Sequence, residues 1–324
     1  MKIIIAVAAA LAALLAAAAN AAAQGYPSRP ITLVVGFAPG GGTDTVARVM
    51  QKKLGELLGQ TIVVENRAGA GGIIAADLVS KAAPDGYTIL LATIAALAVA
   101  PHLNSKLPYN PLRDFAPVSM ATVSGNVLVV HPSLPAKTIA EYVKEANSRP
   151  GGLPYGTSGV GSAGNLAGEL FRLTAKANLI HVPYKGGGPA MSDLLGGQIL
   201  SVFASATTAV PQVKAGKLRA LGTTSAKRSA TIPEVPTIAE QGYPGYEATN
   251  WYAFVGPAKL PKDIVLRLNR EIVKTLRDPD THAAIFKQGE EPTPSTPEEL
   301  AQHMAREYAT WGRVIKEAGI PVEQ

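Results

Sequence analysis

The run ITLVVGFAPGGGTDTVARVMQKKLGELLG, residues 31–59, constrains the fold more than any other stretch. An apolar, β-branched segment ends at Phe37. A proline and three glycines follow, then apolar residues near helical spacing: Val46, Val49, Met50, Leu54, Leu57 and Leu58. A strand, a bare turn and an amphipathic helix that ends at Gly59 satisfy that pattern. The unit repeats. Strand-like 60–66, helix-like 69–83 and strand-like 87–93 complete a βαβαβ order. That order predicts a parallel sheet with helices on both faces.

The pattern resumes after residues 114–132, which read as extended chain with a glycine in the middle. A second series follows: helix 138–148, strand 153–158, helix 161–177, strand 178–184, helix 187–197, strand 199–205, helix 207–216 and strand 217–225. Residues 228–249 are rich in proline and glycine and read as a connector. A strand at 250–257 and three helices starting near Pro261, Asp278 and Thr296 close the chain. STPEEL offers Ser295 or Thr296 as a cap with Glu298 and Glu299 in the first turn. Two α/β lobes with a cleft between them are expected, 26–122 plus 247–324 forming one and 123–246 the other.

The 324-residue chain has no cysteine, 47% hydrophobic residues and a net charge of +6. Its start, MKIIIAVAAALAALLAAAANAAAQ, has one Lys, an apolar run and small residues to Ala23. That is the pattern of a signal peptide over 1–23, cleaved near Ala23, which implies export to the periplasm. No disulfides are then available, and stability must come from the core. Lys and Arg are scattered without aromatic interleaving, which argues against nucleic-acid binding.

Two glycine-rich loops carry the candidate site. In loop one, Phe37 to Asp44, Pro39, Gly40, Gly41 and Gly42 bare the backbone before a helix start, and Thr43 adds a hydroxyl. An anion suits that place; a tight turn capped by Asp44 explains the same residues. Loop two, Tyr155 to Asn165, has the same chemistry, with Thr157, Ser158, Gly159 and Ser162. A third, YKGGGPA at 184–190, reads as a plain turn. Neither main loop matches a nucleotide motif: Thr157 stands where a Walker lysine belongs, and loop one is not G-x-G-x-x-G. Carboxylate is therefore favoured over phosphate. No nucleophile elbow exists around Ser158 or Ser162. The five histidines are dispersed without metal-ligand spacing. No catalytic residue, metal or cofactor is expected.

FAPGGGTD, VVENRAGAGGIIAADLVSKAAPDGYTILLAT, LPYNPLRDFAPVS, YGTSGVGSAGNLAGELF, HVPYKGGGPAMSDLLGGQI and AGKLRALGTTSAKRSATIPEVPTIAEQGYPGYE resemble the tripartite tricarboxylate transporter (Bug, or TctC-like) receptors over essentially the whole mature chain. The resemblance implies a periplasmic solute-binding protein of the two-lobe, type II flytrap kind. It would be a monomer that binds a small organic carboxylate and passes it to membrane transporter subunits. Loop one would meet one carboxylate through backbone and bridging waters, and loop two would close from the other lobe. A sensor that presents the loaded receptor to a membrane kinase, or an exported enzyme acting on carboxylates, are the alternatives. Beside Thr93 and Ala95, the stretch Ile94 to Leu97 lacks the polar residues common in the family. Ala204 replaces an acid, and Asn165 stands where His is frequent. A carboxylate with an apolar, even aromatic, body is expected. Trp251 would either stack on it or pack in the hinge core.

Overall fold

The computed structural model describes residues 25–317; the signal peptide expected over 1–23 falls outside the described residues. The strands are β1 (Ile31–Val35), β2 (Ile62–Asn66), β3 (Thr88–Thr93), β4 (Phe115–Val130), β5 (Leu153–Thr157), β6 (Leu179–Pro183), β7 (Ser201–Ser205), β8 (Arg219–Thr223), β9 (Thr249–Pro257) and β10 (Glu291–Pro292). The main helices are α1 (Gly42–Leu58), α2 (Ile73–Ser80), α3 (Ile139–Asn147), α4 (Ala163–Ala175), α5 (Gly187–Leu195), α6 (Ala206–Lys214), α7 (Lys262–Arg277), α8 (Pro279–Lys287) and α9 (Pro297–Glu317). Thr296 caps α9: its Oγ1 accepts the Glu299 N–H while Glu299 accepts the Thr296 N–H, a reciprocal capping box. No helix among the described residues is long and apolar enough to cross a membrane.

The strands run in the order β2-β1-β3-β9-β4-β7-β5-β6, with β8 and β10 also pairing β4. β2, β1 and β3 are parallel, as the βαβαβ pattern predicts, and β9 joins β3 antiparallel. β4 belongs to both lobes. From Phe115 to Gly125 it pairs with β9; from Asn126 to Val130 it pairs with β7.

Side chains alternate across each strand, so each lobe has a core on both faces. Leu33 joins Met50, Leu54, Phe254, Leu268 and Ile272 on one face of the first lobe. Its neighbour Val34 joins Val79, Leu90, Trp251, Met304 and Trp311 on the other. In the second lobe Leu128 and Val130 face Tyr142, Tyr155, Phe171 and Phe203. Val127 and Val129 face Leu194, Val202 and Val210.

The chain passes between lobes at Gly125–Asn126 and returns beside it at Ala248–Thr249. Thr224 ties the two passages together. Its Oγ1 accepts the Asn126 N–H at 2.8 Å and donates to the Ala248 carbonyl at 2.6 Å. Under this crossing lies Glu290, wholly buried before β10. Oε2 accepts from Thr122 Oγ1 at 2.8 Å, and Oε1 has no hydrogen-bond partner. Burial pushes the carboxyl from 4.5 up to about 7. The folded state therefore holds a proton that the unfolded chain has lost. The associated stability is full below pH 4.5 and falls by about 1.4 kcal/mol per pH unit until pH passes 7. Glu290→Gln should remove this slope. Melting temperatures of the two proteins from pH 4 to 8 should diverge between 4.5 and 7, with the variant gaining as pH rises; parallel curves would contradict the assignment.

Candidate ligand cleft at three helix starts

Loop one is held from below. The Asp44 carboxylate accepts the Gly40 N–H at 2.9 Å, Asn66 Nδ2 at 2.9 Å and Arg48 Nε at 2.9 Å. Asn66 Nδ2 also donates to the Phe37 carbonyl. Burial raises the Asp44 carboxyl, but the Arg48, Gly40 and Asn66 bonds outweigh it and leave the group below its usual range. Asp44 is thus a committed anion that shapes the loop, with Gly40 at φ 77° to make the turn. The α1 N-cap is Gly41, which offers no side-chain acceptor to the first turn.

Loop two repeats the device with a neutral group. Asn165, like Asp44 the third residue of its helix, turns Oδ1 back to the Gly161 N–H at 2.9 Å. Ser162 caps α4 by accepting the Asn165 N–H. A third helix, α6, starts at Ala206 behind Ser205, which makes no side-chain cap bond.

These three helix starts meet. Gly41, Gly42, Thr43, Ser162 and Ser205 line one small cavity of about 40 Å³, with Thr93, Asn126, Asn250 and Tyr252. Each helix N-terminus carries about half a positive charge, and its first N–H groups lack helical partners. No charged side chain lines this cavity. Thr93 Oγ1 and Asn126 Nδ2 are buried and find no hydrogen-bond partner in the protein. A Cβ on Gly42 would collide with Tyr252 Oη, Thr207 Oγ1 and Ser205 Oγ, so only glycine lets α1 approach that closely. A small electropositive cavity with unused donors and no cation suits a carboxylate.

A second, larger cavity of about 630 Å³ adjoins it and shares Phe37, Ala95 and Ser158. It runs between the lobes, from Ile73 and Leu103 on one side to Val160 and Leu173 on the other. His181 lines it, with Nε2 2.7 Å from Thr157 Oγ1; burial holds the imidazole below its ordinary pKa and so neutral. The lobes touch at the edge, where the Ala38 N–H donates to the Lys185 carbonyl at 3.2 Å.

The structure distributes the sequence candidates unevenly. Gly41, Gly42, Thr43, Thr93, Ser162 and Ala204 line the small cavity, Gly159 the large one, and Phe37, Ala95 and Ser158 both. Pro39 and Gly40 face a separate outer groove with Gly188 and Thr208. Asp44 sits beneath the loop. Tyr155 and Thr157 are buried in the second lobe, where Tyr155 Oη donates to Glu169. Trp251 does not reach the cleft. It is 1% exposed, its Nε1–H donates to Glu307 at 3.1 Å, and His303 meets its ring edge-on. It packs in the core, the second of the two roles open to it. Of Ile94 to Leu97, only Ala95 lines the cavities; the others are core, because Ala95–Val99 forms a π-helical turn. Asn126, Asn250, Tyr252 and Ser205 were not anticipated as cleft residues. Asn126, a lone amide at the head of the apolar run VLVV, was the legible signal. Among the described residues no group of three or more His, Cys, Asp or Glu gathers to hold a metal.

Known proteins are similar to this chain in sequence and in fold. The chain is 40% identical to Protein BugT of Bordetella pertussis over 298 residues, 92% of this chain and 91% of that one. It superposes with a TM-score of 0.89 on R. palustris Rpa4515 with adipate, at 36% identity, covering 92% of this chain and all of that one. On MatC from Rhodopseudomonas palustris with bound malate the TM-score is 0.85, at 33% identity, covering 90% and 100%. The model of the tripartite tricarboxylate transporter family receptor matches residues 46–320. A match over that much of the chain, together with the two-lobe cleft, makes this protein a member of the tripartite tricarboxylate transporter receptor family.

Proposed function

We propose that this chain is an exported periplasmic receptor that captures a small organic carboxylate and passes it to the membrane subunits of a tripartite transporter. The observation that carries this reading is the meeting of three helix starts on a cavity that has unpartnered donors and no charged side chain. The protein acts as a monomer after losing residues 1–23, and it binds its ligand without chemistry. The lobes meet at the paired crossings beside Thr224, a few residues from the bounds 122/123 and 246/247 expected from the sequence, and close on the ligand there. The related receptors that hold adipate and malate support a carboxylate as the ligand.

Thr93 tests the small cavity. Its buried hydroxyl costs stability while unpaired, about 1–3 kcal/mol for such a group. Thr93→Val should therefore leave the ligand-free melting temperature unchanged or higher, yet weaken carboxylate binding about tenfold in calorimetry. Unchanged affinity would remove Thr93 from the site.

The ligand body follows from the larger cavity. Phe37, Ile73, Ala95, Leu103, Val160 and Leu173 give it apolar walls. Burying a ring there contributes about 25 cal/mol per Å². Citrate would bring two further carboxylates and a hydroxyl but little apolar surface to bury, and each group left unpaired costs about 1–3 kcal/mol. In a thermal-shift panel at matched concentration, benzoate, phthalate and hydrocinnamate should raise the melting temperature more than citrate, glutamate or aspartate. A largest shift with citrate and none with the aromatic acids would overturn the apolar-body reading.

A further inference from the structure

Glu290 is buried without a cation, whereas the buried acids Asp44 and Glu271 are each held by an arginine. Two links tie it to the small cavity. Its Oε2 accepts from Thr122 Oγ1, and Thr122 is the cross-strand partner of Tyr252 on β9. Such partners share a face of the sheet. The Tyr252 hydroxyl ends at the small cavity beside Gly42, with Ser205 Oγ and Thr207 Oγ1. The second link is Gly289. A Cβ there would collide with Ala206, so the backbone leading into Glu290 lies against the first residue of α6. No charged side chain bonds Glu290. Tyr252 stays a neutral phenol, because burial and the Glu290 carboxyl both push it up. Ser124 on β4 offers a hydroxyl, and the Val210 and Ala206 of α6 are apolar. Lys227, Arg228, Glu247 and Glu291 line an outer groove with Ser124 and Gly289, where Arg228 is paired with Glu240.

We propose that Glu290 is a proton-linked control of the carboxylate site, so that the receptor holds its ligand more tightly when this residue is protonated than when it is ionised. This rests on the carboxylate reading of the small cavity and adds its regulation. Glu290 acts through Tyr252 and the start of α6 and does not touch the ligand. Ionised, it places a negative charge behind the same helix start and hydroxyls that receive the ligand's charge. Between buried groups that repulsion is strong and salt screens it little. A bound anion therefore disfavours ionisation of Glu290 and raises its carboxyl further. The free protein loses this proton near pH 7. Binding then takes a proton up wherever the free protein has lost it and the loaded protein keeps it. Affinity is full at acidic pH, falls as pH rises through 7, and levels off once the loaded protein is ionised too.

The test is isothermal titration of the whole mature protein with hydrocinnamate and with adipate from pH 6 to 9. Affinity should fall about tenfold over that range, the scale of one buried charge acting on another. Titrations at pH 7.5 in phosphate and in Tris, whose ionisation enthalpies differ, should show about half a proton taken up per ligand bound. Glu290→Gln, a neutral mimic of the protonated acid, should keep the pH 6 affinity throughout and take up no proton. Glu290→Met should also give a flat profile, whatever its stability costs. A flat profile in the unaltered protein overturns the proposal. So does a slope that survives Glu290→Gln, as titration of His181 in the larger cavity would give; either result leaves the carboxylate reading intact. Binding of neither acid at any pH overturns both.

Discussion

The structure depends on one electrostatic arrangement: the N-termini of α1, α4 and α6 converge on a cavity that has no charged side chain. A carboxylate entering such a place exchanges water for fixed N–H groups and hydroxyls. Hydrogen bonds to a charged acceptor are worth about 1.5–3 kcal/mol each. Neutral donors also avoid the long, entropically costly side chain that a lysine or arginine would have to order. The arrangement is demanding elsewhere. Gly42 must lack a Cβ for α1 to reach Tyr252 and Ser205. Asp44 must be tied to Arg48 and Asn66, or its own charge would compete for the same N–H groups.

The sheet brings the three helix starts together. α1 follows a strand of the first lobe, while α4 and α6 follow strands of the second. β4 threads both lobes, and the returning chain lies beside it, so loops at the strand ends of each lobe face one another. The polar groups at this crossing separate into two sets. Thr224 is fully used, binding both passages. Asn126 Nδ2 and Glu290 Oε1 are buried and unpaired. The first lines the small cavity and is available to a ligand. The second stays in the protein and is tolerated because burial keeps its carboxyl protonated up to about pH 7.

Much of this was legible in the residues. Alternation of apolar runs with amphipathic segments set β1, α1, β2, α2 and β3, because burial on both faces of a parallel sheet leaves few other ways to place them. Both glycine loops were readable as helix entrances. What local pattern did not reveal was direction. Asp44 and a ligand-facing polar residue look alike until the partner is seen, and the partner, Asn66, is on the neighbouring strand. Trp251 and Tyr252 are consecutive on one strand, yet alternation sends the first into the core against Glu307 and the second to the cavity. The apolar stretch after β3 read as pocket wall, but the π-helical turn at Ala95–Val99 directs only Ala95 toward the cavities. Asn126 was an anomaly of composition whose meaning required knowing that β4 crosses between lobes.

The central claim is that the ligand is held as an anion by neutral donors. The most direct measurement is the affinity of an acid against its primary amide, hydrocinnamate against hydrocinnamamide, by isothermal titration at neutral pH. The two have nearly the same shape and differ in charge and in the amide's added donors, which would face the N–H groups of the three helices. The account predicts that the amide binds at least about a hundredfold more weakly, corresponding to two charge-assisted bonds at about 1.5 kcal/mol each. Equal affinity for acid and amide would contradict it.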